Sequence, residues 1–370
     1  MAETVRILFA GGGTGGHLYP GLAVAEQLLL LVPDVEIRWL ATQRQIDRHV
    51  LGGEPYQAEF VDARGFSRWP WSWPAFVIKL LANMGRARDY LREFRPHAVI
   101  GLGGFGSYAA MRQAQALELP NFIMNPDLLF GRANCRLARK ATVVFCQFPE
   151  TVGQVTCGGR IEVLGCPVRA SLFGVGRGAA CEALKLDAAR KTLLVTGASS
   201  GAKTINQVFM QLAGRLERFS DWQVLHLTGR AAYDEVRRAV GEARPNYRVL
   251  DYEDDMGRVY AATDLVVARA GAGTVAELTA LGLASVLMPY PFHRDRHQER
   301  HAQLLERAGA AVMVRDRVKT YGNVDALWRV LPQLLEDDER RRAMAEAARK
   351  LGQPKAAKAI AQAVLRAIGW

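Results

Sequence analysis

The sequence predicts an α/β fold of two parallel-sheet domains, and three features point to it. At 370 residues the chain exceeds the usual reach of one hydrophobic core. Short strand-like apolar runs alternate with helical patterns, as sheets with crossover helices require. Two of these runs, RILFAGGGTGG and TLLVTGASSGA, repeat the same order of buried strand, glycine-rich turn and helix start. That repeat favours two similar domains over one large sheet.

In chain order, VRILFA is the first strand, and a glycine turn and a helix over 20–32 follow it. EIRWLA, HAVIGLG, NFIM and TVVFC are the next strands of the first domain. GCPVRASLFGVGRGAACEAL (165–184) is rich in glycine and keeps no sustained period, so the domain boundary is expected there, between 1–166 and 167–352. The second series runs KTLLVTG, QVLHLTG, YRVLDY, DLVVARAG and ASVLMPYP. Gly352 and Pro354 predict a bend before a last segment, 353–370. In it Ile360, Ala361, Val364, Leu365 and Ile368 lie on one face of a terminal helix.

Composition bounds the function. With 49% hydrophobic and 23% charged residues the chain reads as a water-soluble protein. Arg269 and Glu277 interrupt its longest apolar candidate, 264–292, so no spanning helix is expected. No cationic leader precedes the first strand, and cytoplasm is the default location. The five cysteines, Cys135, Cys146, Cys157, Cys166 and Cys181, form no C-x-x-C pair and read as reduced and structural. A net charge of +11 implies an anionic partner, whether phosphorylated substrate, acidic lipid or nucleic acid.

GGGTGGHLYP (11–20) satisfies a dinucleotide fingerprint in letter, yet the following strand offers no acidic residue before Asp47. No Lys-Ser/Thr follows the glycines, so a nucleoside-triphosphate loop is also disfavoured. What remains is a strand-to-helix turn whose backbone N–H groups suit an anion or a polar oxygen, with His17 inside it. TGASSGAKTIN (196–206) has the same physics, with Ser199, Ser200 and Thr204 beside Gly197 and Gly201. Open α/β domains bind ligands at the carboxyl ends of their strands, so two facing domains would share a cleft with both turns on its walls.

A third turn, at Gly271 and Gly273, opens a helix with Glu277 one turn inside, where a carboxylate can accept both hydroxyls of a ribose diol. His293, His297, Gln298 and His301 follow in a polar loop. They lack the H-E-x-x-H pattern, so zinc is not expected, and His301 is expected on a helix surface. Residues 64–95 carry seven basic against two acidic side chains and gather Phe66, Trp69, Trp71, Trp73 and Phe76. Tryptophan beside cationic residues suits an anionic membrane surface. No recognition motif for nucleic acid accompanies them.

Seven motifs in order, GGGTGGHLYP, GGFGSYAA (103–110), GRAN (131–134), GCPVR (165–169), GASSGA (197–202), RAGAGTVAEL and the His297-Gln298 pair, resemble the MurG family over essentially the whole chain. These are UDP-N-acetylglucosamine (UDP-GlcNAc) transferases that complete a lipid-linked cell-wall disaccharide. The resemblance implies the GT-B architecture, two Rossmann-like parallel-sheet domains facing across a cleft with a C-terminal helix returning to the N-terminal domain. It implies UDP-GlcNAc as donor and a polyprenyl-pyrophosphate muramyl-peptide lipid as acceptor. It also implies a peripheral place on the cytoplasmic face of the inner membrane and an inverting reaction without cofactor.

Carried over, His17 is the expected base, with Asp127 the alternative. Thr14, Gly15, Arg169, Ser199, Gly201, Glu277, His297 and Gln298 would serve the donor. Gly12, Gly13, Gly16, Gly104, Asn125 and Asn134 would serve the acceptor. No D-x-D occurs, so no divalent metal is expected, and backbone N–H groups would meet the leaving pyrophosphate. The chain departs from the family pattern at Asn125-Pro126-Asp127, at Ser200 and at His301. Those departures leave open another lipid acceptor, such as diacylglycerol, and a UDP-GlcNAc 2-epimerase.

Overall fold

The computed structural model describes residues 4–63, 73–197, 201–241, 244–292, 295–318 and 320–370. It divides into one unit of Met1–Arg169 with Gln353–Trp370 and a second of Ala170–Gly352.

The first unit holds β1 (Arg6–Ala10), β2 (Glu36–Thr42), β3 (Gln57–Val61), β4 (Ala98–Gly101), β5 (Asn121–Asn125), β6 (Val143–Cys146) and β7 (Arg160–Val163). They make one sheet in the order β3-β2-β1-β4-β5-β6-β7, and every pairing among the described residues is parallel. Its helices are α1 (Gly15–Leu31), α2 (Gln45–Gly52), α3 (Trp73–Phe94), α4 (Gly104–Ala116) and α5 (Arg132–Ala138). Ile7, Phe9, Trp39, Ile100, Phe122 and Phe145 pack one face of the sheet, and Leu8, Leu40, Val99, Ile123 and Val144 the other. Burial on both faces explains why the central strands read as unbroken apolar runs. Phe9 stacks on Trp39 with ring centroids 4.7 Å apart.

The second unit repeats the plan with β8 (Lys191–Thr196), β9 (Trp222–Leu227), β10 (Tyr247–Leu250), β11 (Leu265–Ala268), β12 (Ser285–Leu287) and β13 (Ala311–Met313). Their order is β10-β9-β8-β11-β12-β13, also parallel. Its helices are α6 (Arg177–Leu184), α7 (Lys203–Leu216), α8 (Tyr233–Val240), α9 (Met256–Ala261), α10 (Ala272–Leu281), α11 (His297–Arg307), α12 (Thr320–Trp328), α13 (Leu331–Glu336) and α14 (Asp338–Leu351). Both sheets reverse direction of growth beside their first strand, between β1 and β4 and between β8 and β11. Ligands of such sheets bind at the carboxyl ends of those strands.

After α14 the chain passes Thr279 so closely that a Cβ on Gly352 would lie 2.3 Å from the Thr279 carbonyl oxygen. The last helix, α15 (Ala356–Ala367), then joins the first unit's core. Its Ile360, Ala361, Val364 and Leu365 are buried with Val24, Ala25 and Leu28 of α1, as the apolar stripe predicts.

Several expectations change. Helix α1 begins at Gly15, five residues before the expected start, and carries Pro20 inside it. As its sixth residue, Pro20 leaves the Gly16 carbonyl without an i→i−4 backbone donor. The edge strands β3, β7 and β13 were not expected. The first unit runs to Arg169, not to Cys166, because Val168 is buried and the Arg169 guanidinium lies 4.5 Å over the Tyr19 ring of α1.

All five cysteines are free thiols, and burial, then the Cys157 charge, pushes Cys146 up to about 12. No described helix is long and apolar enough to cross a membrane.

Candidate functional site

In the first unit the β1–α1 turn is built on Gly11, Gly12 and Gly13, all at positive φ (125°, 151° and 95°). Only glycine takes these values at no steric cost. Asp47, wholly buried in the first turn of α2, accepts the Gly13 N–H at 2.7 and 2.9 Å through its two oxygens. Its Oδ2 also accepts the N–H and hydroxyl of Thr42. Arg44 donates to the Gly13 carbonyl at 2.9 Å. The expectation that this turn offers its N–H groups to a ligand is therefore corrected at Gly13, whose N–H already has an internal acceptor.

Thr14 caps α1 by position and not by its side chain, since its hydroxyl lies 3.0 Å from His17 Nδ1. Gly15 and Gly16 open the helix, and no acidic side chain occupies its first turn. His17 stands in that turn, with Nε2 and Cδ2 beside Gly103, where a Cβ would sit 3.5 Å away. Gly104, at φ 70°, starts α4 next to the same ring. Burial lowers the His17 pKa from 6.5. The charges of Asp127 and Asp47 oppose that shift, and Arg44 adds to it.

Asn125 ends β5 and donates to the Asp127 carbonyl at 2.7 Å, while Asn134 of α5 donates to Asn125 Oδ1 at 3.0 Å. Asn134 Oδ1 is buried with no acceptor role filled among the described residues. Gly12, Gly13, Gly16, His17, Gly104, Asn125, Asp127 and Asn134 thus gather at the carboxyl ends of β1, β4 and β5. Arg169, expected to help with donor charge, lies in this unit, its guanidinium 4.5 Å over the Tyr19 ring.

In the second unit Ser199 and Ser200 lie outside the described residues, as does His293. Gly201, at φ 70°, passes the Thr228 carbonyl so closely that a Cβ would lie 2.2 Å from its oxygen. Behind it Asn206 donates to that same carbonyl at 2.9 Å and faces His226 Nε2 at 3.0 Å, and His226 Nδ1 faces the Tyr247 hydroxyl at 3.0 Å. Burial drives the His226 pKa down to about 3. At neutral pH it is therefore a neutral link in the packing behind the turn.

Arg269 extends from β11 to Thr204 at 2.6 Å, to Asp316 at 2.8 Å and to the Met288 carbonyl at 2.8 Å. This buried guanidinium ties the carboxyl ends of β11 and β12 to α7 and to Asp316. Burial alone would raise the Asp316 pKa, but hydrogen bonds from Thr204, Val318, Arg269 and Asn323 outweigh it and hold it below the ordinary value.

Glu277 stands on α10, half-buried, and Tyr260 of α9 donates to its Oε2 at 2.7 Å. His297 Nδ1 pairs with Asp295 at 2.8 Å, and Gln298 Oε1 accepts the Tyr290 N–H at 3.0 Å. His301 is not on a surface. It is buried and its Nδ1 lies 2.9 Å from the Ala270 carbonyl, which anchors α11 to the β11–α10 turn. No group of three or more His, Cys, Asp or Glu among the described residues is placed to hold a metal ion.

The sequence reading missed Arg44, Asp47 as a turn partner, Asn206, His226 and Tyr260. Each acts through a partner distant in sequence, and no local pattern marks it.

The chain matches the glycosyltransferase family 28 N-terminal domain over residues 7–146 and the family's C-terminal domain over 192–362. A relative from Desulfitobacterium hafniense is 35% identical over 98% of this chain and 99% of its own length. It is named UDP-N-acetylglucosamine–N-acetylmuramyl-(pentapeptide) pyrophosphoryl-undecaprenol N-acetylglucosamine transferase. The crystal structure of Acinetobacter baumannii MurG is similar at TM-score 0.74 and 25% identity, covering 98% of this chain and 99% of that one. The UDP-GlcNAc 2-epimerase of Neisseria meningitidis, solved bound to UDP-GlcNAc, shares the fold at TM-score 0.64 and 15% identity, covering 98% of this chain and 100% of that one.

Proposed function

This chain belongs to glycosyltransferase family 28 and, within it, to the MurG family, and on that footing we propose that it moves N-acetylglucosamine from UDP-GlcNAc to a polyprenyl-pyrophosphate muramyl-peptide lipid. The observation that carries this reading is the end-to-end match, 35% identical over 98% of the chain, to a relative named for that transfer.

The chemistry is a single displacement. An acceptor hydroxyl oxygen bonds to the anomeric carbon as the bond from that carbon to the UDP oxygen breaks, inverting the centre. In the tautomer whose Nδ1–H donates to Thr14 Oγ1, 3.0 Å away, His17 Nε2 keeps the lone pair that takes the hydroxyl proton. Asp127 sustains the imidazolium that forms. The N-terminus of α7, capped by Ala202, meets the pyrophosphate charge through its N–H groups, and Ser199 adds its hydroxyl to the same phosphates. Glu277, steadied by Tyr260, holds the ribose hydroxyls, and His297 and Gln298 meet the donor sugar. Gly12, Gly16, Gly104, Asn125 and Asn134 receive the acceptor.

A lipid acceptor requires a membrane surface. Trp73, Val77, Ile78 and Leu81 recur at helical spacing on α3 and are all exposed, Ile78 at 67% and Leu81 at 61%. Lys79, Arg86, Arg88 and Arg92 share that helix. An apolar stripe among cations suits an anionic lipid interface, here the cytoplasmic face of the inner membrane. Phe66, Trp69 and Trp71, expected to add to it, lie outside the described residues.

Radiolabelled UDP-GlcNAc offered with either the muramyl-peptide lipid or diacylglycerol tests the reading. Label is expected in the first lipid, and label in diacylglycerol alone would overturn the assignment of acceptor.

A further inference from the structure

We propose that Asp47 and Arg44 are positioning residues for the N-terminal glycine turn: they grip Gly13 by its N–H and by its carbonyl, and so set where Thr14 and His17 stand. This rests on the reading of His17 as the base.

Asp47 is wholly buried, yet among the described residues it forms no ion pair with lysine or arginine. Only the neutral donors of Gly13 and Thr42 satisfy it. Burying a carboxylate on such terms is costly, and it persists where specific donors demand it. An acidic residue in the first turn of a helix ordinarily serves that helix's own N–H groups. Here both oxygens turn away from α2, toward the ends of β1 and β2. A Cβ on Gly12 would lie 2.4 Å from Asp47 Oδ2, so the carboxylate by itself accounts for one of the glycines.

Arg44 precedes α2, three residues before Asp47, and holds the next peptide, through the Gly13 carbonyl. The charged groups bearing on His17 are then Asp127 after β5, Asp47 on α2 and Arg44 before it, the first two raising its pKa and the third lowering it.

The test uses the full chain as Asp47→Asn, Asp47→Glu and Arg44→Gln, with two readouts. One is the His17 imidazole titration by NMR on histidine-labelled protein, the signal assigned among the seven histidines with His17→Gln. The other is the pH dependence of kcat/KM. Asp47→Asn is expected to lower the His17 titration and Arg44→Gln to raise it. Asp47→Asn should also reduce kcat/KM by on the order of 10²-fold through misplacement of the base. UDP-GlcNAc affinity should hold, and Asp47→Glu should restore part of the loss.

Titrations unchanged in both variants, or shifted the same way, would overturn the proposal. If Asp47→Asn does not fold, the exposed Arg44→Gln decides, with an unmoved His17 titration counting against it. Opposite shifts of His17 with an unmoved rate profile would uphold the clamp and remove His17 as the base.

Discussion

Tyr260 donates a 2.7 Å hydrogen bond to Oε2 of Glu277, joining α9 to the helix that follows the third glycine turn. Burial, reinforced by the Glu277 charge, holds the phenol well above its ordinary pKa, so it remains a donor at any working pH. Glu277→Ala should weaken UDP-GlcNAc binding by on the order of 10²-fold, and Tyr260→Phe by about 10-fold, the scale of hydrogen bonds to a charged group. Titration calorimetry reads both, and unfolding should remain cooperative. Unchanged affinity in Glu277→Ala would remove the ribose assignment.

A general base must be unprotonated to act. Because burial lowers the His17 pKa, kcat/KM should rise with pH through a midpoint below 6.5. Asp127 opposes that lowering and sustains the imidazolium, so Asp127→Asn should move the midpoint to lower pH still and reduce kcat/KM above it by no more than about 10-fold. A loss of 10²-fold or more at every pH would instead identify Asp127 as the base.

How far this site was legible in the sequence depends on where each signal lies. Strands β1, β5, β8 and β11 are buried on both faces and end in glycine or proline turns, so they stood out as apolar runs. The edge strands did not. β3 and β7 keep exposed or half-exposed residues along most of their length, and β13 has three residues. His17 and Asn134 sit in the first turns of helices that the motifs open, and Asn125 ends an apolar strand run. Tyr260, Asp47 and His226 reach those turns only through the folded chain, 17 residues separating Tyr260 from Glu277 and 34 separating Asp47 from Gly13. His301 reads as polar in an amphipathic helix, and only the Ala270 carbonyl explains its burial.

His226 carries a stability signature. Its folded pKa, about 3, lies below the 6.5 of the unfolded chain, so unfolding takes up a proton between those values. Its contribution is whole above pH 6.5 and is lost as pH falls toward 3. Between pH 7.5 and 5.5 the loss should be about 1.4 kcal/mol. Urea unfolding should show His226→Gln losing less stability on acidification than the wild type by that amount. Equal losses would contradict a neutral buried imidazole.

Ile78 and Leu81 test the α3 surface. Ile78→Glu with Leu81→Glu should lower binding to anionic vesicles by at least 10-fold, since each removes about 1.5 kcal/mol of apolar transfer. Turnover of a soluble, short-chain acceptor should be unaffected. Undiminished vesicle binding in sedimentation would place the membrane contact elsewhere.

The most direct measurement mixes the purified full chain, UDP-GlcNAc and the muramyl-peptide lipid in EDTA and follows the sugar by NMR. UDP and a β-linked disaccharide lipid are expected to form one for one, with no change in UDP-GlcNAc when the lipid is left out. Conversion of UDP-GlcNAc to its 2-epimer without lipid, or a product that keeps the α configuration, would contradict it.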